Sequence, residues 1–381
     1  MDYQILLPRK IVFQKGISSK IAEYVRPFGE NVLLLSGRSS LKKAGSYDKI
    51  LNSLISSGLK VTEYQGISFE PDPALIDDIV DSAKSKNINV VVSVGGGSVI
   101  DAGKAAAGLL VNDKGVENYL EGVGRDWKLK NDPLPFIAVP TTAGSGAEAT
   151  KNAVITSREK KYKKSFRDDR LLARIILADP ELTLTLSENE TFFGGMDALS
   201  QLIESFVSKK RNGYCSALAS YYIPKAITAL KKLKENPMDY ESRSIMLEAA
   251  TASGITLSNS GLGAIHGFAS GIGGMFDIPH GLICAILLPR VVKANSTKDR
   301  NVYKEVAGLM KSDISKSNVD GFIDILFELN EFLGIPSDFG KYNINKELSK
   351  EIVERSRGSS MNGNPVDYDD GELIDFISKL L

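Results

Sequence analysis

The chain has 381 residues, enough for two or three domains at roughly 150 residues each. Its 47 basic and 47 acidic side chains cancel, so no global field draws it to nucleic acid or to an anionic membrane surface. With 43% hydrophobic and 25% charged residues it falls among folded globular proteins, which excludes a disordered chain or a peptide held together by disulfides.

Residues Met1 to Lys10 carry charge too early and too evenly for a secretory leader. No uncharged apolar run reaches the roughly 18 residues of a spanning helix, so a cytoplasmic protein without a membrane partner is expected. The first half alternates short β-branched runs with amphipathic stretches. Strands are predicted at Asn31 to Ser36, Lys60 to Tyr64, Asn89 to Val94 and Phe136 to Val139, and helices at Tyr47 to Ser57, Pro73 to Ser85 and Ser98 to Leu110. Such alternation builds βαβ units around a mostly parallel sheet. The lysine-rich patch Lys160 to Lys164 is expected to be a solvated loop.

After Asp179-Pro180 the strand signals nearly vanish and helical periodicity takes over, as in Gly195 to Ser208, Ser216 to Leu233 with a kink at Pro224, and Val319 to Leu333. The expected fold class is therefore α/β followed by an all-helical half. Capping signals at Ser187 and Thr191 put the boundary near Leu182 to Glu188.

Three glycine- and hydroxyl-rich turns follow predicted strands. Gly95-Gly96-Gly97-Ser98 lies between a strand and a helix, where glycine lets the backbone approach a ligand and the helix start attracts an anion. The spacing is neither GxGxxG nor the Walker pattern, so a phosphate site stands beside a plain tight turn as the two readings. Thr141, Thr142 and Ser145 lie after the strand ending at Val139, as a ligand lip at the sheet's switch point or as a polar loop. Gly37, Arg38, Ser39 and Ser40 follow the first strand of the alternating unit. A reader of a ribose 2′-hydroxyl would need an acidic residue there, whereas arginine and serines suit a 2′-phosphate, which favours NADP over NAD.

In the helical half, Asp197 and Gln201 stand four residues apart and project from one helix face, about 40° apart around the axis. An Asp near a helix start is more often a cap than a ligand. Only two histidines occur, His266 and His280; on one continuous helix they would lie about 21 Å apart along the axis. Gly271, Gly273, Gly274 and Pro279 are expected to break the chain between them, so that His280 starts a new helix and returns toward His266. A carboxylate with two imidazoles suits Zn²⁺ or Fe²⁺ with a position open for substrate. Cys215 and Cys284 lie in apolar stretches without a CxxC partner and are expected to be buried structural thiols.

Taken together, GGGSVID, PTTAGSGAEAT, DPELTLTL, GGMDAL and HGFASGIGGMFDIPHG, in that order, resemble the iron-containing (group III) alcohol dehydrogenase family over nearly the whole chain, from the Pro8-to-Gly16 opening to Asn364-Pro365. The segment Gly37 to Gly45 is similar to the NADP-using butanol dehydrogenase branch. The resemblance implies a Rossmann-like α/β nucleotide-binding domain at residues 1–185, an all-helical metal domain at residues 186–381, a homodimer, and the exchange of hydride between a nicotinamide and a primary alcohol or aldehyde.

Carried over by position, the family's metal ligands fall on Asp197, Gln201, His266 and His280, and Gly95 to Ser98, Asp101, Thr141, Thr142, Ser145 and Lys163 fall on its cofactor positions. Two departures stand out. Gln201 replaces a metal histidine, which leaves Fe²⁺ or Zn²⁺ open. Ser270 replaces the second histidine of an HxxxH pair, which passes proton transfer to the Ser270 hydroxyl, a ribose hydroxyl or water. The competing readings are a glycerol-type polyol dehydrogenase, a dehydroquinate synthase, or a protein that binds metal and nucleotide but has lost catalysis.

Overall fold

The computed structural model describes residues 2–37, 45–67, 70–113, 115–125, 127–310 and 317–381. The chain divides into two compact units. One spans Leu6–Ser187, and the other comprises Glu188–Leu381 with the residues up to Ile5.

The first unit is built on β1 (Lys10–Phe13), β2 (Asn31–Gly37), β3 (Lys60–Ile67), β4 (Val90–Gly95), β5 (Phe136–Pro140) and β8 (Ile175–Ala178). These form one parallel sheet in the order β1-β8-β5-β4-β2-β3. Its helices include α1 (Ile21–Val25), α2 (Ser46–Ser56), α3 (Pro73–Ala83) and α4 (Gly97–Leu109). β4 is buried along its whole length, as a near-continuous valine run requires when both sheet faces are covered. From β2 the chain crosses to β3 on one side, and from β4 it crosses to β5 on the other. The switch point of the sheet therefore lies between the carboxyl ends of β2 and β4, at Gly37 and Gly95.

Two expectations need correction. The Lys160 to Lys164 patch is not simply a loop: β6 (Asn152–Ser157) and β7 (Tyr162–Arg167) form an antiparallel hairpin that pairs Lys163 with Thr156. Lys161 turns the hairpin with φ of 51°. The edge pair β1 and β8 was also not predicted. Each is only four residues long, too short to show a period.

In the second unit every regular element among the described residues is helical: α5 (Glu188–Val207), α6 (Gly213–Glu235), α7 (Tyr240–Ser260), α8 (Ala264–Met275), α9 (His280–Lys298), α10 (Lys304–Ala307), α11 (Val319–Leu333), α12 (Ser349–Ser356) and α13 (Asp370–Ser378). Among the described residues no helix is long and apolar enough to cross a membrane. α5 is the central helix: it packs against α6, α7 and α9, and every residue from Gly195 to Val207 is buried. A methyl group at Gly195 would lie 2.5 Å from Leu230 Cδ2, so the bare backbone there sets how closely α5 and α6 approach. Helix α6 passes through Pro224 without ending.

Candidate functional site

In the α/β unit the structure brings the Gly95 to Ser98 turn against the loop after β5. Methyl groups at Gly96 and Gly97 would lie 3.3 Å from Thr142 Oγ1 and 2.6 Å from Ser145 Oγ. Thr141 donates its backbone N–H to Gly95 O at 3.0 Å. The two loops thus form one concave backbone surface at the start of α4, lined with hydroxyls. The first N–H groups of α4 open onto it and suit an anion. Gly37 ends β2 nearby, and a methyl there would meet Val99 Cγ2 at 3.9 Å. Arg38, Ser39 and Ser40 lie outside the described residues.

Asp101 and Lys163 prove more occupied than their motif suggests. Asp101 accepts the Val154 N–H at 3.1 Å and pairs with Lys104 Nζ at 2.8 Å. Lys104, fully buried, also donates to Ala147 O at 2.9 Å and Thr150 Oγ1 at 2.8 Å, so this pair ties α4 to the hairpin and to the loop after β5. Burial raises the Asp101 carboxyl, and the Lys104 ammonium works against that shift. Lys163 Nζ pairs with Glu70, which also takes the Thr156 hydroxyl at 2.7 Å.

In the helical unit the four donor atoms of Asp197, His266, His280 and Cys284 lie within 4.8 Å of one another. His266 Nε2 is 3.1 Å from Asp197 Oδ1, and His280 Nε2 is 3.7 Å from the same oxygen. The break between the histidines is shorter than predicted. Gly271, Gly273 and Gly274 stay inside α8, and only Phe276 to Pro279 leave helical conformation before His280 opens α9. Gly271 is needed for packing instead, because a methyl there would lie 2.5 Å from Ser356 Oγ. Gly281 lets the first turn of α9 rest on the Phe193 carbonyl of α5, which brings His280 to Asp197.

Two members of the cluster were missed. Glu204, two turns after Asp197 on the same face of α5, accepts from His266 Nδ1 at 2.6 Å and from the Ile265 N–H at 2.7 Å. This fixes the proton on Nδ1, so that Nε2, within hydrogen-bond reach of Asp197, is the nitrogen that can give up a proton in exchange for a metal. The i, i+4, i+7 spacing of Asp197, Gln201 and Glu204 was the available signal. Cys284, expected to be an inert structural thiol, instead lies with Sγ 3.8 Å from His266 Nε2 and 3.7 Å from His280 Nε2. Its position one turn after His280 puts both on one face of α9, but the approach to His266 is a contact between helices. Gln201 Nε2 donates to Asp197 Oδ1 at 3.1 Å, while its Oε1 takes the Ser253 hydroxyl at 2.6 Å. Ser270 follows His266 by one turn of α8 and is partly buried.

The electrostatics of the cluster call for a cation. Burial raises Asp197, but the imidazoles of His280 and His266 outweigh it and hold the carboxyl below its ordinary value. Burial pulls His266 down, yet Cys284, Glu204 and Asp197 together carry it well above the usual histidine range. Burial pushes the Cys284 thiol up to about 12. With neutral imidazoles, the buried Asp197 carboxylate at the centre of the donor set would lack a cationic partner, so the set fits a divalent metal that takes the place of a proton. The cluster opens on one side: the His280 side chain is 28% exposed, against 5% for Asp197.

Two family models cover the chain. That of iron-containing alcohol dehydrogenase matches residues 8–180, and that of the Fe-containing alcohol dehydrogenase family, C-terminal, matches residues 191–381. The chain belongs to the iron-containing alcohol dehydrogenase family. It is 30% identical over 377 residues to the NADPH-dependent butanol dehydrogenase of Clostridium saccharobutylicum, covering 96% of this chain and 95% of that protein. It is 28% identical over 363 residues to the NAD-dependent methanol dehydrogenase of Bacillus methanolicus, covering 91% and 92%. Among solved structures, a 1,3-propanediol oxidoreductase superposes with a TM-score of 0.92 at 26% identity, covering all of both chains. Membership makes this chain an oxidoreductase of the NAD(P)-linked alcohol dehydrogenase class that uses a divalent metal and acts on small alcohols or aldehydes.

Proposed function

We propose that the chain interconverts a primary alcohol and its aldehyde with NADP(H), using a divalent metal held by Asp197, His266 and His280. The observation that carries this reading is the convergence of those three donors within 4.8 Å of one another, buried except at the partly exposed His280. When bound, the metal supplies Lewis-acid polarisation of the substrate oxygen. Glu204 holds the His266 ring in the ligating tautomer, and Gln201 holds the Asp197 carboxylate in place through its amide N–H. The carry-over had Gln201 as a ligand; with its oxygen engaged by Ser253, we assign it to positioning. The Ser270 hydroxyl is the proposed proton relay to water, since both imidazoles are committed to metal.

In the α/β unit, Gly95, Gly96, Gly97 and Ser98 are assigned to the pyrophosphate, and Thr141, Thr142 and Ser145 to the nicotinamide side. Asp101 holds the start of α4 in register, and Lys163 is assigned to the nicotinamide ribose. NADP preference is supported by Arg38, Ser39 and Ser40 after β2 and by the NADPH-dependent butanol dehydrogenase among the relatives. The functional division at residues 185/186, a cytoplasmic location and a homodimer complete the proposal. The dimer is supported by the edge position of β1 with Ile11 and Leu7 exposed.

Elemental analysis paired with NADPH- and NADH-dependent reduction of butyraldehyde, before and after chelation, tests the reading. One divalent metal per chain, with NADPH activity lost on chelation and restored by metal, is expected. Nucleotide binding without turnover of any alcohol or aldehyde, even with metal resupplied, would overturn it.

A further inference from the structure

The sequence leaves the metal site one imidazole short at Gln201, and the fold places a different donor beside it. Cys284 lies one turn after His280 on α9, so both side chains leave the same face of one helix. Its Sγ stands 3.8 Å from His266 Nε2 and 3.7 Å from His280 Nε2. The two imidazoles stand 3.1 and 3.7 Å from Asp197 Oδ1. A tetrahedron with bonds of about 2.0–2.3 Å has edges of roughly 3.3–3.8 Å, close to these four separations, and the remaining two lie within 4.8 Å.

Gln201 is unsuited to the same task. Asp197 as a carboxylate only accepts, so the end of the amide that faces it is the NH₂, which has no lone pair to give a metal. The amide oxygen is turned to the Ser253 hydroxyl at 2.6 Å. Cys215, the other thiol, is also buried and free, but it lies at the start of α6 and outside this cluster.

We propose that Cys284 is the fourth protein ligand of the divalent metal, replacing the missing imidazole, and that Gln201 is a positioning residue for Asp197. The Sγ proton passes to water as the metal–sulfur bond forms, with no change of oxidation state. A thiolate among two imidazoles and a carboxylate softens the site and biases it toward zinc or cobalt over iron. This inference rests on the reading that the cluster holds a divalent metal.

The test is the electronic spectrum of the full-length protein loaded with Co²⁺. A sulfur-to-cobalt charge-transfer absorption in the near ultraviolet is expected beside the visible ligand-field bands. It should disappear in Cys284→Ser and persist in Cys215→Ser and Gln201→Ala, with Gln201→Ala binding cobalt about 10-fold more weakly. The wild-type spectrum decides the matter even if Cys284→Ser fails to fold. Stoichiometric cobalt without the sulfur band overturns the thiolate ligand and leaves the Asp197, His266 and His280 site standing. A band that survives Cys284→Ser overturns it likewise, and failure of the wild type to bind cobalt overturns both.

Discussion

Glu204 accepts the Nδ1 proton of His266 at 2.6 Å, and it does so from the same face of α5 that carries Asp197 two turns earlier. One helix thus supplies both the carboxylate of the donor cluster and the carboxylate that orients the His266 imidazole. Such an orienting partner fixes the tautomer and raises the basicity of the ligating nitrogen. Glu204→Gln keeps the shape and one acceptor but removes the charge. Metal affinity, measured by competition with a chromophoric chelator, should fall about 10- to 100-fold with the fold intact. Unchanged affinity would show that Glu204 serves only the Ile265 backbone.

The glycines around the cluster should divide sharply. Gly281 sits on the Phe193 carbonyl, so Gly281→Ala must push the start of α9 away from α5. Destabilisation of about 1–3 kcal/mol by denaturant unfolding, with reduced metal content, is expected. At Gly273 a methyl would meet only Ile283 Cδ1 at 3.8 Å, so Gly273→Ala should stabilise by about 0.5–1 kcal/mol through lower backbone entropy of the unfolded chain. Equal effects from the two substitutions would contradict this account.

At the nucleotide turn, Gly97→Ala places a methyl 2.6 Å from Ser145 Oγ and covers the start of α4. The KM for NADPH should rise about 10-fold, equivalent to about 1.4 kcal/mol of binding, while metal content stays at the wild-type level. Loss of metal with unchanged nucleotide affinity would place the turn's role elsewhere.

Part of the acid sensitivity of the α/β unit should trace to Asp168. The Arg170 guanidinium donates to both oxygens of Asp168 at 2.9 Å and holds that carboxyl below its ordinary value. A folded-state value below the unfolded one means the pair stabilises fully above about pH 4 and is lost as pH falls through the lower, folded value. Melting temperature measured from pH 6 to pH 3 should therefore fall less steeply in Asp168→Asn than in the wild type. Parallel curves for the two proteins would assign the acid limb to other groups.

Much of the architecture follows from local pattern. Valine runs ending in glycine at Gly95 and followed by an alanine-rich helix need both faces covered, and that requirement is written in the order of residue types. The change to helical period after Asp179-Pro180 is equally local, and so are Asp197, His266 and His280, because rare imidazoles in small-residue helices stand out by type alone. The strands β1 and β8 escaped because four residues carry no period, and β7 because its adjacent Lys163 and Lys164 break any polar–apolar alternation.

What the sequence by itself determined is the family, the parallel α/β half, the helical half and the candidacy of Asp197, His266 and His280. All of these rest on residue type and on local pattern along the chain. Only the tertiary structure decided that Cys284 joins the cluster, that Glu204 orients His266, and that the Gln201 amide presents nitrogen and not oxygen to Asp197. The physical reason is that each of these depends on a contact between helices, the Gln201 amide being turned by the Ser253 hydroxyl of α7. Periodicity tells which face of a helix a side chain leaves from, but the partner across the gap is set by the crossing of α5, α8 and α9, and that crossing depends on glycines whose bare backbones let the helices touch.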